Sequence, residues 1–363
     1  MKTLSTIAIA ISAAIASWLL TGRFRRYALK SGIIDVPNAR SSHVTPTPRG
    51  GGLAIVITVL VALPILGALQ MLPWNIVFGL WGAGAIAAAV GFVDDRTTVG
   101  LAPRLFAHFA AAACVVQFIG VAPIAQLFAV GQPHNVAASV ISALFLVWML
   151  NLTNFMDGID GLASVEVVTV CFGGCVCVLV SRAAMSSSVM SVSSSLVSNI
   201  GGVFDPHFAV AFYTPVLLGA ATIGFLFWNW PPARIFMGDA GSGFLGVLLG
   251  ALSIIAATAA PQLLWSWLIL LALFMVDSTV TLVRRIARGE RFYKAHRSHA
   301  YQHAAQRWGH QRVTLLCGAI NLFWLLPIAL SVALNRVNAP IGMALAYVPL
   351  AILALGLRAG LPD

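Results

Sequence analysis

Residues 138–163, ASVISALFLVWMLNLTNFMDGIDGLA, run from an unbroken apolar stretch straight into a segment carrying Asp157, Gly158, Asp160 and Gly161. The first half has the composition of a membrane span. The second half sets two acids three residues apart in a chain of 363 residues that has only eleven. A bilayer core of about 30 Å needs roughly 20 apolar residues per helix, and stretches of that kind recur on both sides. They lie near 4–22, 52–70, 75–93, 104–121, 136–150, 161–181, 208–228, 243–260, 262–283, 314–334 and 339–358. The 136–150 run is short, and the gaps around 120–135 and 260–262 are ambiguous. The sequence therefore predicts an all-α polytopic integral membrane protein of ten or eleven transmembrane helices, with residues 1–363 as one domain. A mean hydropathy of +0.92 and 9% charged residues exclude an ordinary soluble globule.

The first apolar segment has features of a cleaved signal peptide, but Lys2 alone precedes it, while Arg23, Arg25, Arg26 and Lys30 follow. That asymmetry predicts an uncleaved first helix with its amino end outside. With eleven spans, the loops at 23–51, 94–103, 151–160, 229–242 and 284–313 all become cytoplasmic. Together with the carboxyl tail they hold eighteen of the 21 Lys and Arg. The acids play no part in that assignment, yet ten of the eleven fall on the same side, Asp205 being the exception. The positive-inside rule gathers bases, not carboxylates, so the acids collect there for another reason. The net charge of +10 suits topology and contact with anionic membrane lipids. With no soluble basic domain, nucleic acid is not an expected partner. The five cysteines lie in apolar spans and read as small buried hydrophobes. The serine-rich stretch 181–199 reads as an external linker.

Four loops combine acids, glycines and bases. In DVPNARSSHVTPTPRGGGLA (35–54), three prolines exclude helix. Gly50 to Gly52 open onto a helix, a place where backbone N–H groups can cradle phosphate, with Arg49 adding charge. In GFVDDRTTVGLAPRLFAH (91–108), adjacent Asp94 and Asp95 at a helix end repel each other and oppose the helix dipole, so a cation, a proton or Arg96 must compensate. Arg104 and His108, one turn apart, suit a lipid phosphate. In 151–163, Asp157 and Asp160 share a face if helical; capping by Asp160 explains one acid but not both beside Asn151 and Asn154. In NWPPARIFMGDAGSGFLG (229–246), Asp239 lies in a glycine-rich turn and Ser242 can cap the helix that follows. Phe236 reads either as an aromatic for stacking on a base or as an interface aromatic.

The loop RRIARGERFYKAHRSHAYQHAAQRWGHQR (284–312) carries eight Lys or Arg, four His and one acid. His296, His299 and His303 would line one face of a helix. Zinc ligation there lacks Cys or acid partners, and a His and Arg surface for phosphate is more economical. Oxygen ligands beside phosphates suit Mg²⁺, which takes one or two carboxylates plus substrate phosphates.

Five pieces in this order, TPTPRGGG (45–52), FVDDR (92–96), NFMDGIDGLA (154–163), FMGDAGS (236–242) and HRSHAYQ (296–302), resemble the polyprenyl-phosphate N-acetylhexosamine-1-phosphate transferases of glycosyltransferase family 4. The resemblance spreads over most of the chain and is nearest to the subgroup that starts O-antigen or capsule chains. It implies Mg²⁺-dependent attack of undecaprenyl phosphate on a UDP-N-acetylhexosamine, with Mn²⁺ able to substitute, releasing UMP at the cytoplasmic face of a bacterial inner membrane. By position it implies Asp239 as the principal metal ligand with Asp157 beside it, and Asp94 and Asp95 flanking the lipid phosphate, one as base. It implies Asn151, Asn154, Asp160, Asn229, Phe236, Arg49, His296, Arg297 and His299 as substrate contacts, and Arg104 and His108 as lipid-phosphate contacts. Self-association as a homodimer is compatible with it. Thr98 stands where many relatives carry an acid or lysine, and Tyr301 and Gln302 where several carry histidines. No lysine precedes TPT, so muramyl-pentapeptide is not the expected sugar; GlcNAc or a 6-deoxy-amino sugar is. A cation-coupled transporter would place its acids near mid-bilayer, whereas only Asp277 lies well inside a span. A CDP-alcohol phosphatidyltransferase would carry a DG…AR…G…D…D motif, which is absent.

Overall fold

The computed structural model describes residues 2–37, 45–97, 99–121, 124, 136–190, 206–290 and 296–362. Thr98, the stretch 191–199 and Asp205 lie outside these residues. The chain is a bundle of helices, because in lipid each backbone polar group must find its partner within its own segment. In order these are α1 (Lys2–Ser31), α2 (Leu53–Ala68), α3 (Trp74–Asp94), α4 (Leu101–Phe118), α5 (Val136–Met156), α6 (Leu162–Met190) and α7 (Pro206–Asn229). They are followed by α8 (Asp239–Ala259), α9 (Gln262–Leu270), α10 (Ala272–Ala287), α11 (Ala300–Trp308) and α12 (His310–Ile320). A π-helical turn, Asn321–Leu325, joins α12 to α13 (Leu326–Ala333), and α14 (Ala339–Gly356) ends the bundle. Among the described residues nine helices are long and apolar enough to cross a membrane, or ten with α9 and α10 counted as one span. The 16-residue α2 is apolar but short.

Every apolar run read from the sequence is thus a helix, with four differences. The first helix continues to Ser31, so Arg23, Arg25, Arg26 and Lys30 ride on it. α5 extends to Met156, placing Asn151 and Asn154 on its last turns instead of in a loop. α6 continues to Met190, so the serine-rich stretch begins as helix. The 262–283 run is broken by a 67° bend between α9 and α10, with no proline or glycine at the break to signal it.

α8 is the central pillar, its most apolar window wholly buried. It packs against α3, α5, α7 and α9. Such closeness needs small residues, as helix contacts in lipid generally do. Phe244 lies where a Cβ on Gly84 of α3 would be, at 2.5 Å. A Cβ on Gly246 would stand 2.5 Å from the Met149 carbonyl oxygen and 2.7 Å from Leu150 Cα of α5. Because successive helices alternate in direction, the ends of α1, α3, α5, α7 and α10 meet the starts of α2, α4, α6, α8 and α11 at one end of the bundle. A two-stranded antiparallel ribbon, Ile34–Asp35 with Thr47–Pro48, closes over that end.

Gly246→Ala should cost about 1–3 kcal/mol, since backbone cannot yield as a side-chain tip can. A lowered thermal midpoint in detergent checks this. Gly356→Ala, with nothing within 4 Å of the added methyl, is the control that should leave the midpoint unchanged.

Candidate active site

The N-terminus of α8 organises the polar end of the bundle. Its first N–H groups lack intrahelical partners, and Asp95, the residue after α3, supplies them. Asp95 Oδ1 accepts from Asp239 N at 2.9 Å and Oδ2 from Ala240 N at 3.2 Å. Gly91, one turn earlier, permits the approach, for a Cβ there would strike the Asp239 and Ala240 backbone. Arg49 Nη2 then bridges Asp95 Oδ1 at 2.8 Å and Asp239 Oδ1 at 2.7 Å. Burial raises the Asp95 pKa, and Arg49 opposes this without reversing it. Burial works against the Arg49 charge too, but Asp239 and Asp95, then Asp35 and Asp157, hold it above its ordinary value.

Gly51 and Gly52 do not offer their N–H groups to an anion as the sequence suggests. Gly51 N donates to Phe236 O and Gly52 N to Met237 O, each at 2.9 Å, so these N–H groups are spent on the segment before α8. The glycines serve close packing: a Cβ on Gly52 would lie 2.6 Å from Gly241 Cα.

Asp94, adjacent in sequence to Asp95, has a different duty. It accepts from Val99 N at 2.8 Å and pairs with Arg104 at 3.1 Å. Together with Arg104, His108, Asn151, Asn154 and Asp239 it lines a narrow cleft. Asn151 Nδ2 contacts His108 Nδ1 at 3.3 Å and donates to Val147 O at 2.7 Å. Asn154 Nδ2 donates to Ser242 Oγ at 3.0 Å. Ser242 is therefore a buried residue inside α8 and not its cap, since Asp239 already begins the helix.

Asp157 and Asp160 occupy an irregular turn between α5 and α6, so they share no helix face. Asp160 is taken up by the fold: Oδ2 accepts from Ala233 N at 3.0 Å and Oδ1 lies 3.3 Å from His310 Nδ1. Asp157 accepts no hydrogen bond on its carboxylate from any described residue. Burial first, then the nearby Asp239 charge, pushes its pKa well up, with Arg49 opposing. Asn229, expected near a nucleotide, is buried behind the site. Its Oδ1 accepts from Gly161 N at 3.1 Å and Ser164 Oγ at 3.2 Å, and its Nδ2 donates to Ile235 O at 3.1 Å. It braces the 157–161 turn.

A wider cavity of about 620 Å³ opens beside the cleft. Arg104, Asn154, Asp239, His296 and His299 form its polar part, and Leu101, Leu105, Leu144, Trp148 and Leu282 its apolar part. Arg297 and Phe236, both half-buried, stand outside that lining. His296 and His299 precede α11 and only His303 is on it, so the three do not form a helix face. Burial, with His299 and Arg285, pushes the His296 pKa down to about 4, leaving it neutral at pH 7. Tyr301 OH donates to Phe155 O at 2.8 Å, tying HRSHAYQ to the end of α5. Gly158 admits that phenol, since a Cβ there would strike the Tyr301 oxygen.

No three His, Cys, Asp or Glu side chains among the described residues form a ready metal cage. Mg²⁺ does not need one, because it takes one or two carboxylates and completes its shell with phosphate and water. Asp157 has no donor on its carboxylate, and Asp239 carries only the shared Arg49 guanidinium on Oδ1. Two carboxylates close enough for the charge of Asp239 to act on Asp157, with Arg49 as the one cation between their charges, are oxygen donors that fit a hard divalent cation.

Fold and site together define a multi-pass helical membrane protein whose five motif segments build one polar centre beside an apolar cavity. Residues 77–257 match the family model described as glycosyl transferase family 4. The decaprenyl-phosphate N-acetylglucosaminephosphotransferase of Mycolicibacterium smegmatis is 31% identical over 336 residues, 85% of this chain and 77% of the relative. A probable undecaprenyl-phosphate N-acetylglucosaminyl 1-phosphate transferase of Bacillus subtilis is 27% identical over 292 residues, 78% of this chain and 72% of its own. The phospho-N-acetylmuramoyl-pentapeptide-transferase of Kocuria rhizophila is 28% identical over 317 residues, 76% and 80% of the two chains. The chain belongs to glycosyl transferase family 4.

The unlike surroundings of the adjacent acids give a clear test. Asp95→Asn removes one helix-capping acceptor and an ion pair, and should cost about 1 kcal/mol or more in stability. Asp94→Asn keeps an acceptor for Val99 N and loses only a part-exposed pair, so its thermal midpoint should stay near that of the wild type.

Proposed function

We propose that this protein transfers an N-acetylhexosamine-1-phosphate from a UDP-sugar to a polyprenyl phosphate, releasing UMP and starting an envelope polysaccharide such as O-antigen. The observation that carries this reading is the junction of the two cavities. A cleft with Arg104, His108 and Asp94 is suited to a phosphate, and it leads into apolar walls whose residues Leu101 and Leu144 are exposed on the bundle surface. An amphiphile with a phosphate head and a prenyl tail matches that sequence of surfaces, and the relatives are named for lipids of this kind. The N-acetylglucosamine in their names makes UDP-GlcNAc the first donor to test, with a 6-deoxy-amino sugar as the second.

Asp239 and Asp157 would hold Mg²⁺, or Mn²⁺ in its place, which when bound neutralises diphosphate charge and stabilises the departing phosphate. Arg104 and His108 position the lipid phosphate, and Asp94 beside them removes any proton it carries. An oxygen of the lipid phosphate then attacks the phosphorus bearing the sugar. A new P–O–P bond forms, the bond to the bridging oxygen breaks, and UMP leaves with that oxygen. A single in-line displacement needs no covalent intermediate on the protein, and positioning with charge stabilisation supplies most of the rate. His296 and His299, on the cavity's far polar wall, are placed for the diphosphate or sugar. The charge distribution supports a motif end in the cytoplasm and an amino terminus outside.

With UDP-[sugar-label] and undecaprenyl phosphate, label should enter a solvent-extractable lipid as UMP appears. EDTA should abolish this and Mg²⁺ restore it; label sealed in vesicles but never in lipid would mean a transporter. Asp239→Asn should slow turnover about a thousandfold, several kcal/mol of transition-state stabilisation. Near-normal turnover in that variant would remove Asp239 from the metal site. A reporter fused after residue 160 that is active only outside would reverse the proposed orientation.

A further inference from the structure

Asp277 is a buried acid that the transfer mechanism leaves unused. It lies on α10, is buried, and accepts four hydrogen bonds: from Thr281 Oγ1 at 3.1 Å, His299 Nδ1 at 3.2 Å, Ala300 N at 2.9 Å and Tyr301 N at 3.0 Å. Two of these come from the first turn of α11, so Asp277 caps that helix across the gap from α10. The third fixes a side chain. His299 is buried among ring systems, its ring centroid 5.0 Å from that of His296, 5.6 Å from Tyr301 and 6.1 Å from Phe155. An imidazole has two nitrogens, and the partner of one decides the proton on both. A carboxylate can only accept, so the contact to Asp277 requires a proton on Nδ1. Nε2 is then the nitrogen left for the cavity that His299 lines together with Asn154 and Asp239.

We propose that Asp277 is a positioning residue that holds His299 with Nδ1 protonated and Nε2 directed to the substrate's phosphate oxygens. With a substrate phosphate oxygen at Nε2 the ring lies between two acceptors, Nδ1–H donating to Asp277 and Nε2–H to that oxygen. The burial of an acid on a membrane helix is thereby explained by what it does for a loop beyond that helix. The proposal rests on the reading that His299 contacts the diphosphate.

Two measurements on the full chain test it. The first is the ¹⁵N spectrum of histidine-labelled protein, with His299 assigned by its loss in His299→Gln. Nδ1 protonated, in the neutral or the charged ring, is expected; an unprotonated Nδ1 overturns the proposal without reference to activity. The second is a double-mutant cycle in turnover of UDP-GlcNAc with undecaprenyl phosphate, using Asp277→Asn, His299→Gln and both. Asp277→Asn should lower kcat roughly tenfold to a hundredfold, as loss of an outer-shell partner typically does. The double variant should be no slower than His299→Gln alone, because the two losses are one interaction. Losses that multiply would reduce Asp277 to a helix cap and overturn the positioning role. An impaired His299→Gln beside an unaffected Asp277→Asn would overturn it too, while leaving the site reading intact. A wild-type rate in His299→Gln would instead remove His299 from the diphosphate, and the proposal with it.

Discussion

The polar end of this bundle depends on one cap. The most buried helix of the molecule, α8, starts where its unpaired N–H groups would otherwise have no partner, and Asp95 of a neighbouring span supplies one. An anion at a helix N-terminus is stabilised by the aligned peptide dipoles, which offsets part of the cost of burying Asp95. Asp239 is the first residue of that helix, so its carboxylate would meet Asp95 with nothing between were Arg49 absent. Arg49 comes from a different loop and bridges both. Three motif segments are therefore locked together by a single electrostatic requirement. Residues 51–52 pair with 236–237, and the ends of α3 and α5 pack on α8, as a consequence of satisfying that start.

The eleven apolar runs were legible because hydrophobic length alone decides a membrane helix. The convergence of the loops was legible from alternation and the charge count. Helix ends were not. Nothing in the composition of NLTNF says that α5 carries Asn151 and Asn154 on its last turns, because their side chains are satisfied by Val147 O, His108 and Ser242, all of them distant or backbone partners. Glycine was the weakest guide. The same GGG that allows a phosphate cradle allows a backbone to pair at close range, and only the direction of the N–H groups decides between them. The bend between α9 and α10 had no sequence signal at all.

Side-chain roles within a motif were least legible where two similar residues sit together. DD reads as one acidic unit, yet Asp95 faces α8 and Asp94 faces the cleft, because consecutive residues at a helix end point in different directions. In DGID, Asp160 finds Ala233 N and His310 while Asp157 finds no donor. Which member is structural depends on loops some seventy to one hundred and fifty residues away.

That distinction sorts the acids of this protein. Burying a carboxylate is costly unless N–H donors or a cation compensate it. Asp95 has two backbone donors and an arginine, Asp160 a backbone donor and a histidine, and Asp277 two backbone donors, a hydroxyl and a histidine. Each is compensated by the fold and can be understood without a ligand. Asp157 accepts no hydrogen bond from a described residue, and the Asp239 charge acts on it more strongly than the opposing charge of Arg49. At the motif end Asp94, Asp95, Asp160 and Asp277 each accept a backbone N–H, whereas among the described residues no backbone N–H reaches the Asp157 or Asp239 carboxylate, and that gap is where the proposed cation and its phosphates would bind.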